Sequence, residues 1–296
     1  MQAAASFLSI PRTMHLRTGI PLLSELEAHL KSEEYNRHVE FNRAFLERND
    51  AAMNQYGKLW AKDTFRLWSR RWEYPFVAQR VIQFAQQQRS IGAFRLLDAG
   101  SGVTYFPYYI RKEVPRSEIT CFDSNKSYHP MFDAVNAGMG EQNVKFVEGM
   151  LQKLPFETDS FDAVCCISVL EHTGNYGEIL AEFARVLRPG GMFVLTFDLS
   201  LDGKFELPKK AAAELLSALS EKFQVAPGDD LHKELQRMDD PARERILTTD
   251  YIRDTQPDLL PWKHPTLKAV HDLVTGHGWT GGFRSKSVYC LDVIAK

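Results

Sequence analysis

Leu96-Leu97-Asp98-Ala99-Gly100-Ser101-Gly102 joins a short apolar run, beginning at Phe94, to an acid and two closely spaced glycines. Glycine lets a backbone turn tightly and approach a ligand with no Cβ in the way. A helix that opens just after such a turn aims its first N–H groups at the same place. Taken alone, the segment reads equally well as a tight strand-to-helix connection that binds nothing. Asp123 is the second element. It ends the next strand candidate, Glu118–Asp123, where doubly wound folds hydrogen-bond the two hydroxyls of a ribose. Strand, turn, helix, strand and acid in this order point to an adenosine-containing ligand. The position three after Gly102 is Tyr105, so the G-x-G-x-x-G pattern of nicotinamide sites is not met. An acid two residues before Gly100 suits an amino-bearing ligand better than a pyrophosphate.

Outward from this stretch, short apolar runs alternate with helical ones. Val144–Glu148 and Ser160–Val169 read as the third and fourth strands, and Met192–Asp198 as the fifth. Helices are expected near Phe106–Lys112, Met131–Gly138 and Tyr176–Arg188. In the last of these, Ile179, Leu180, Phe183, Val186 and Leu187 share a face, and Pro189-Gly190-Gly191 follows. Alternating strands and helices with apolar strands predict a parallel, doubly wound α/β sheet. Pro208–Phe223 and Thr266–Thr275 read as helices, Phe223–Ala226 as a short strand, and Ser287–Ala295 as the last strand. The region before Phe94 reads as helical: Leu22–Lys31, Glu33–Tyr56, Lys58–Trp72, and a further helix opened by Pro75.

The chain has 296 residues, 36 Lys/Arg against 38 Asp/Glu, and four cysteines. No global basic field announces nucleic acid, and four cysteines make no disulfide scaffold. The longest apolar run, Ala163–Leu170, is far short of a membrane span, and residues 1–30 do not read as a secretion signal. The expectation is a cytoplasmic protein without stable membrane insertion. Near-neutral total charge conceals an asymmetry: residues 1–95 carry 14 basic and 9 acidic side chains, and the remainder is acidic. Cys121, Cys165, Cys166 and Cys290 fall within strand candidates and read as small buried hydrophobes. The histidines do not cluster with acids at metal-ligand spacing, so no metal is expected.

The pattern Asp98-Ala-Gly100-Ser-Gly102, Asp123, Leu154-Pro155-Phe156, Ser160-Phe161-Asp162, Val169-Leu170-Glu171-His172 and Ala184 through Gly191 resembles class I S-adenosylmethionine-dependent methyltransferases, over roughly residues 92–200. The subgroup it is most similar to acts on small molecules. The resemblance implies a seven-stranded Rossmann-like methyltransferase sheet with a reversed last strand. It implies S-adenosyl-L-methionine as cofactor, with Asp98, Gly100 and Gly102 at its methionine end and Asp123 on the ribose. Ser124 would sit beside the adenine, Met150 and Leu151 along its edge, and Ser168 and Val169 near the transferable methyl. Two positions depart from the family pattern. Thr104 stands for the third glycine, and Met150 stands where an acid often meets the adenine amino group.

For catalysis, His172 is the candidate base, with a structural role beside the Gly174 loop as the alternative. Asp198, ending the fifth strand, reads as the start of a turn, with orienting His172 or touching substrate as the alternative. On a helical wheel Arg71 falls between Trp60 and Trp68 on the apolar arc of Lys58–Trp72. An inward charge needs a partner, either a carboxylate of cofactor or substrate or a nearby acid such as Glu73. The organisation expected is a helical cap over residues 1–90 and a methyltransferase domain over 91–296, with an insertion near 200–286 walling the substrate pocket. The expected function is methyl transfer to a small molecule, O- favoured over N-. Carbon methylation of a lipid-like quinone at a membrane surface, or a non-catalytic nucleoside-binding module, are the alternatives. No nucleic-acid partner is expected.

Overall fold

The computed structural model describes residues 14–56, 62–88, 92–203, 206–260, 265–275 and 284–296. The strands are β1 (Phe94–Ala99), β2 (Ser117–Asp123), β3 (Val144–Glu148), β4 (Phe161–Ile167), β5 (Leu187–Ser200), β6 (Leu207–Pro208), β7 (Phe223–Gln224) and β8 (Lys286–Ala295). They form one sheet in the order β3-β2-β1-β4-β5-β8-β7, with β6 alongside the end of β5. β1 to β5 pair in parallel and β8 runs antiparallel to β5 and β7. The sheet thus has eight strands where seven were expected. The additional one is the two-residue β6, too short to leave a period-2 signal.

Alternation along each strand sends side chains to two cores. Leu96, Cys165, Val194 and Cys290 face one, and Leu97, Cys166, Leu195 and Leu291 the other. The four cysteines are buried and free, as their strand positions implied. The first core is covered by α4 (Arg70–Gln87), α5 (Phe106–Glu113) and α6 (His129–Met139). The second is covered by α7 (Tyr176–Val186) and α8 (Lys209–Lys222). Before α4 come α1 (Leu23–His29), α2 (Glu33–Arg48) and α3 (Asp50–Met53), whose apolar side chains join the first core. The chain near Gly19 also bridges Cys290 on β8.

Four local expectations are corrected. Lys58–Trp72 is not one helix: among its described residues a 3-10 turn spans Thr64–Arg66, Leu67 is extended, and α4 starts at Arg70. Lys58 and Trp60 lie outside the described residues, as do His264 and His277. Pro75 does not open a helix but sits inside α4, which is started by N–H bonds from Arg70 to Leu67 O and from Glu73 to Ser69 O. Glu33–Tyr56 breaks at Asn49, whose side chain donates to Phe45 O at 2.8 Å and closes α2. Finally, Pro189-Gly190-Gly191 lies within β5 and not before it. The pairing jumps from Phe161–Leu187 to Ala163–Met192, so these residues form a bulge, with Gly190 at φ 73°.

Candidate functional site

The parallel strands end on one edge, and there the loop after β1 meets those after β2 and β4. Gly100 and Ser101 both donate backbone N–H groups to Phe122 O, at 2.7 and 3.2 Å. This pins the turn to the end of β2. Gly100 has φ 76°, and a Cβ there would stand 2.4 Å from Val169 Cγ2. Gly102 has φ 53°, and its Cβ would stand 2.5 Å from Tyr56 Oη. Both positions require glycine for backbone and for space. Thr104 is absent from the positive-φ residues, so the turn carries a side chain there without that strain. Asp123 accepts the Gly102 N–H at 3.1 Å through one oxygen and the Asn125 N–H at 3.1 Å through the other.

Two adjoining cavities result. One, of about 420 Å³, lies between the Gly100–Thr104 turn, Asp123, the Ile167–Val169 end of β4 and His172. Tyr56, Thr64, Leu67, Arg70, Tyr74 and Tyr128 line the rest of it. The other, of about 170 Å³, is bounded by Gly100, Asp123, Ser124, Met150, Leu151 and Val169, with Gly149, Gln152 and Thr173. Gly100, Asp123 and Val169 belong to both. The two cavities therefore form one crevice at the carboxyl ends of the strands, where ligands bind in this fold class. Met150 is 59 % exposed, so it offers an apolar surface and no charge at this end.

Asp98 lies under the turn, 3 % exposed, and the Cys165 thiol is 3.6 Å from its Oδ1. Burial pushes its carboxyl up to about 7, and the nearby Asp123 pushes the same way. A buried carboxylate with so little hydrogen bonding calls for a cation. Ser168 has φ 49°, uncommon outside glycine. It is held there by its own N–H on Thr196 O at 2.9 Å and by its hydroxyl on Glu73. His172 ends the 3-10 turn Leu170–His172 and stands exposed at the cavity wall.

Arg71 is displaced from its expected role. Its Nε donates to Phe65 O at 2.8 Å, beside Tyr35, and it lines neither cavity. The guanidinium that lines the larger cavity is that of Arg70, whose Nη1 donates to Glu73 Oε2 at 2.9 Å. The extended Leu67 resets the helical phase, so a wheel drawn through Lys58–Trp72 picks the wrong arginine. Sequence reasoning also passed over Tyr56 and Tyr74, and it offered Glu73 as a partner for Arg71, whereas the structure pairs it with Arg70. An acid following two arginines at the start of a buried helix was the available signal for Glu73. Asp198 is buried, ion-paired with Lys286, and its N–H donates to Glu171 Oε1 at 3.2 Å. It belongs to this charged cluster and not to a surface turn.

Residues 97–195 match the methyltransferase domain family. Over 103 residues the chain is 35 % identical to a demethylmenaquinone methyltransferase of Deinococcus radiodurans, covering 34 % of this chain and 42 % of that protein. Over 150 residues it is 28 % identical to a fatty-acid O-methyltransferase of Mycolicibacterium smegmatis, covering 48 % and 52 %. The chain thus matches about half the length of these curated relatives, or less. A solved geranyl diphosphate methyltransferase in complex with SAM shares the fold, with a TM-score of 0.50 and 13 % identity over 96 % of this chain and 100 % of that one. Residues 97–195 thus match a methyltransferase domain, and the chain shares the fold of a solved methyltransferase.

Proposed function

We propose that the chain transfers the methyl group of S-adenosylmethionine to a small-molecule acceptor, O-methylation being favoured over N-methylation. The observation that carries this is the single crevice joining the Gly100–Gly102 turn, Asp123 and the end of β4 under cap side chains, with Asp98 buried near the end of β1 just before that turn. The residues fit the cofactor. A poorly bonded buried carboxylate suits its ammonium group, Asp123 suits a ribose, and Ser124, Met150 and Leu151 frame a slot of about 170 Å³ for a flat base. When bound, the cofactor supplies an activated sulfonium methyl. The chain's own residues orient the acceptor, exclude water and take up a proton. Orientation alone contributes up to ~7–11 kcal/mol in well-aligned systems. Tyr56, Arg70 and Tyr74 close the crevice from the cap side, and in this reading His172, at its wall, takes up the acceptor's proton.

The names of the two relatives denote small-molecule acceptors, one of them methylated on oxygen, which supports the reading. Among the described residues no helix is long and apolar enough to cross a membrane. No group of His, Cys, Asp or Glu among them is arranged to hold a metal. The test is incubation with methyl-labelled S-adenosylmethionine and a metabolite extract, read by mass spectrometry. Label is expected on a small molecule, and ester or ether cleavage should remove it and return the unlabelled acceptor. Label on protein or RNA alone would overturn the substrate class.

A further inference from the structure

The amino-acid end of the cofactor is a zwitterion, so a site for it needs a cation beside the anion of Asp98. Among the described residues lining either cavity, Arg70 is the one Lys or Arg. Its Nη1 is bonded to Glu73, its side chain keeps 20 % exposure, and it lines the larger cavity. Tyr74, one turn along α4, lies within electrostatic reach of both Arg70 and Asp98. Arg70 and Tyr74 line the larger cavity, whereas Ser124 and Met150 line the smaller one.

Glu73 explains why Arg70 points there. It is 0 % exposed and its carboxylate is satisfied from three elements. Arg70 Nη1 on α4 reaches Oε2, while the hydroxyls of Ser168 after β4 and Thr196 on β5 both donate to Oε1, the latter at 2.7 Å. One buried side chain thus fixes the cap's arginine relative to the strand ends. It also anchors the strained Ser168 turn that lines the cavity. A buried carboxylate with three donors on three elements has little freedom to move, so the guanidinium it holds is preorganised.

We propose that Arg70 binds the carboxylate of the cofactor's methionine end and that Glu73 is the positioning residue that holds it in place. The inference rests on the proposed use of S-adenosylmethionine, and its test separates the two. Dissociation constants are measured by calorimetry for S-adenosylmethionine and for decarboxylated S-adenosylmethionine, which differ only in the carboxylate. The ratio of the two constants is independent of how much of a variant is folded. Wild type is expected to prefer the carboxylate-bearing compound by roughly tenfold or more, as for a buried charged pair. Arg70→Met should bring the ratio to within about threefold of one. Glu73→Gln should lower it part of the way, and Arg70→Met/Glu73→Gln should lower it no further than Arg70→Met alone. That lack of additivity would not arise if Glu73 merely stabilised the fold. Failure of wild type to bind S-adenosylmethionine would remove the functional reading itself. Binding with an unchanged ratio in Arg70→Met would refute the role of Arg70. Additive losses in the double variant would refute that of Glu73.

Discussion

Replacing Asp98 by asparagine tests the electrostatics of the crevice in one step. Asp98 is 3 % exposed, and burial moves its carboxyl from an ordinary 3.8 to about 7. A folded-state value above the unfolded one means that the folded chain holds the proton more tightly. The associated stability is present below about pH 4 and is lost as pH rises to about 7. That rise corresponds to about 4 kcal/mol, of which roughly 3 kcal/mol is lost between about pH 4.5 and 8. The amide of the Asp98→Asn variant has no such proton to lose. In the ligand-free protein, Asp98→Asn should therefore gain about 3 kcal/mol on wild type between those pH values, measured by urea unfolding at each pH. With the cofactor the sign reverses. The proposed ammonium partner needs the anion, so wild-type affinity should fall as pH drops below about 7, by up to about tenfold per unit. Asp98→Asn should bind S-adenosylmethionine at least roughly 30-fold more weakly at about pH 8, with a flat pH dependence, because it lacks one partner of a buried charged pair. Parallel stability curves for the two proteins across this range would refute the burial argument. Equal, pH-independent affinity would refute the pairing.

Gly102→Ala places a Cβ against Tyr56 Oη at φ 53° and should cost about 1–2 kcal/mol in stability, read by urea unfolding; an unchanged midpoint would contradict the geometry. The same change should weaken cofactor binding, because Tyr56 Oη accepts the Val103 N–H at 3.3 Å and the turn must shift with it. His172→Gln should lower turnover by about 10²–10⁴-fold while leaving the cofactor dissociation constant within about twofold; normal turnover would remove His172 as the base. His29, packed edge-on to Tyr35 and Trp72, is held neutral by burial, down to about 4. Its folded-state value is depressed, so stability is lost as pH falls from about 6.5 toward 4. His29→Phe should recover up to about 3 kcal/mol of that loss, measured as the difference in unfolding free energy between about pH 7 and 4.

Much of the sheet was legible because its strands are buried on both faces and bounded by turn residues. Val144–Glu148 is observed with its expected bounds, and Phe94, Asp123 and Ala295 end strands as read. What escaped were features set by pairing and not by pattern. β5 begins at Leu187 because Leu187 pairs with Phe161 across a bulge that holds Arg188–Gly191, and β6 exists only because Leu207 meets Leu199. In the cap, amphipathic spacing was real but its phase was not continuous. Asn49 and the extended Leu67 each break a helix through a single backbone conformation, and Pro75 is accommodated in the second turn of α4.

The same distinction separates the parts of the site. Gly100, Gly102 and Asp123 act through backbone shape and strand-end position, which a local motif encodes. Tyr56, Arg70, Glu73 and Tyr74 act through side chains brought from well upstream of the glycine turn, and no local spacing ties them to β4 or β5. Glu73 shows why this matters for mechanism. Its three donors come from residues 70, 168 and 196, so its environment exists only after the cap has packed on the sheet. A left-handed Ser168 costs roughly 1–3 kcal/mol, and that conformation persists only while Glu73 and Thr196 hold it. Docking of α4 and completion of the cofactor crevice are therefore one event. A variant that loosens α4 should affect the binding site before it affects the sheet.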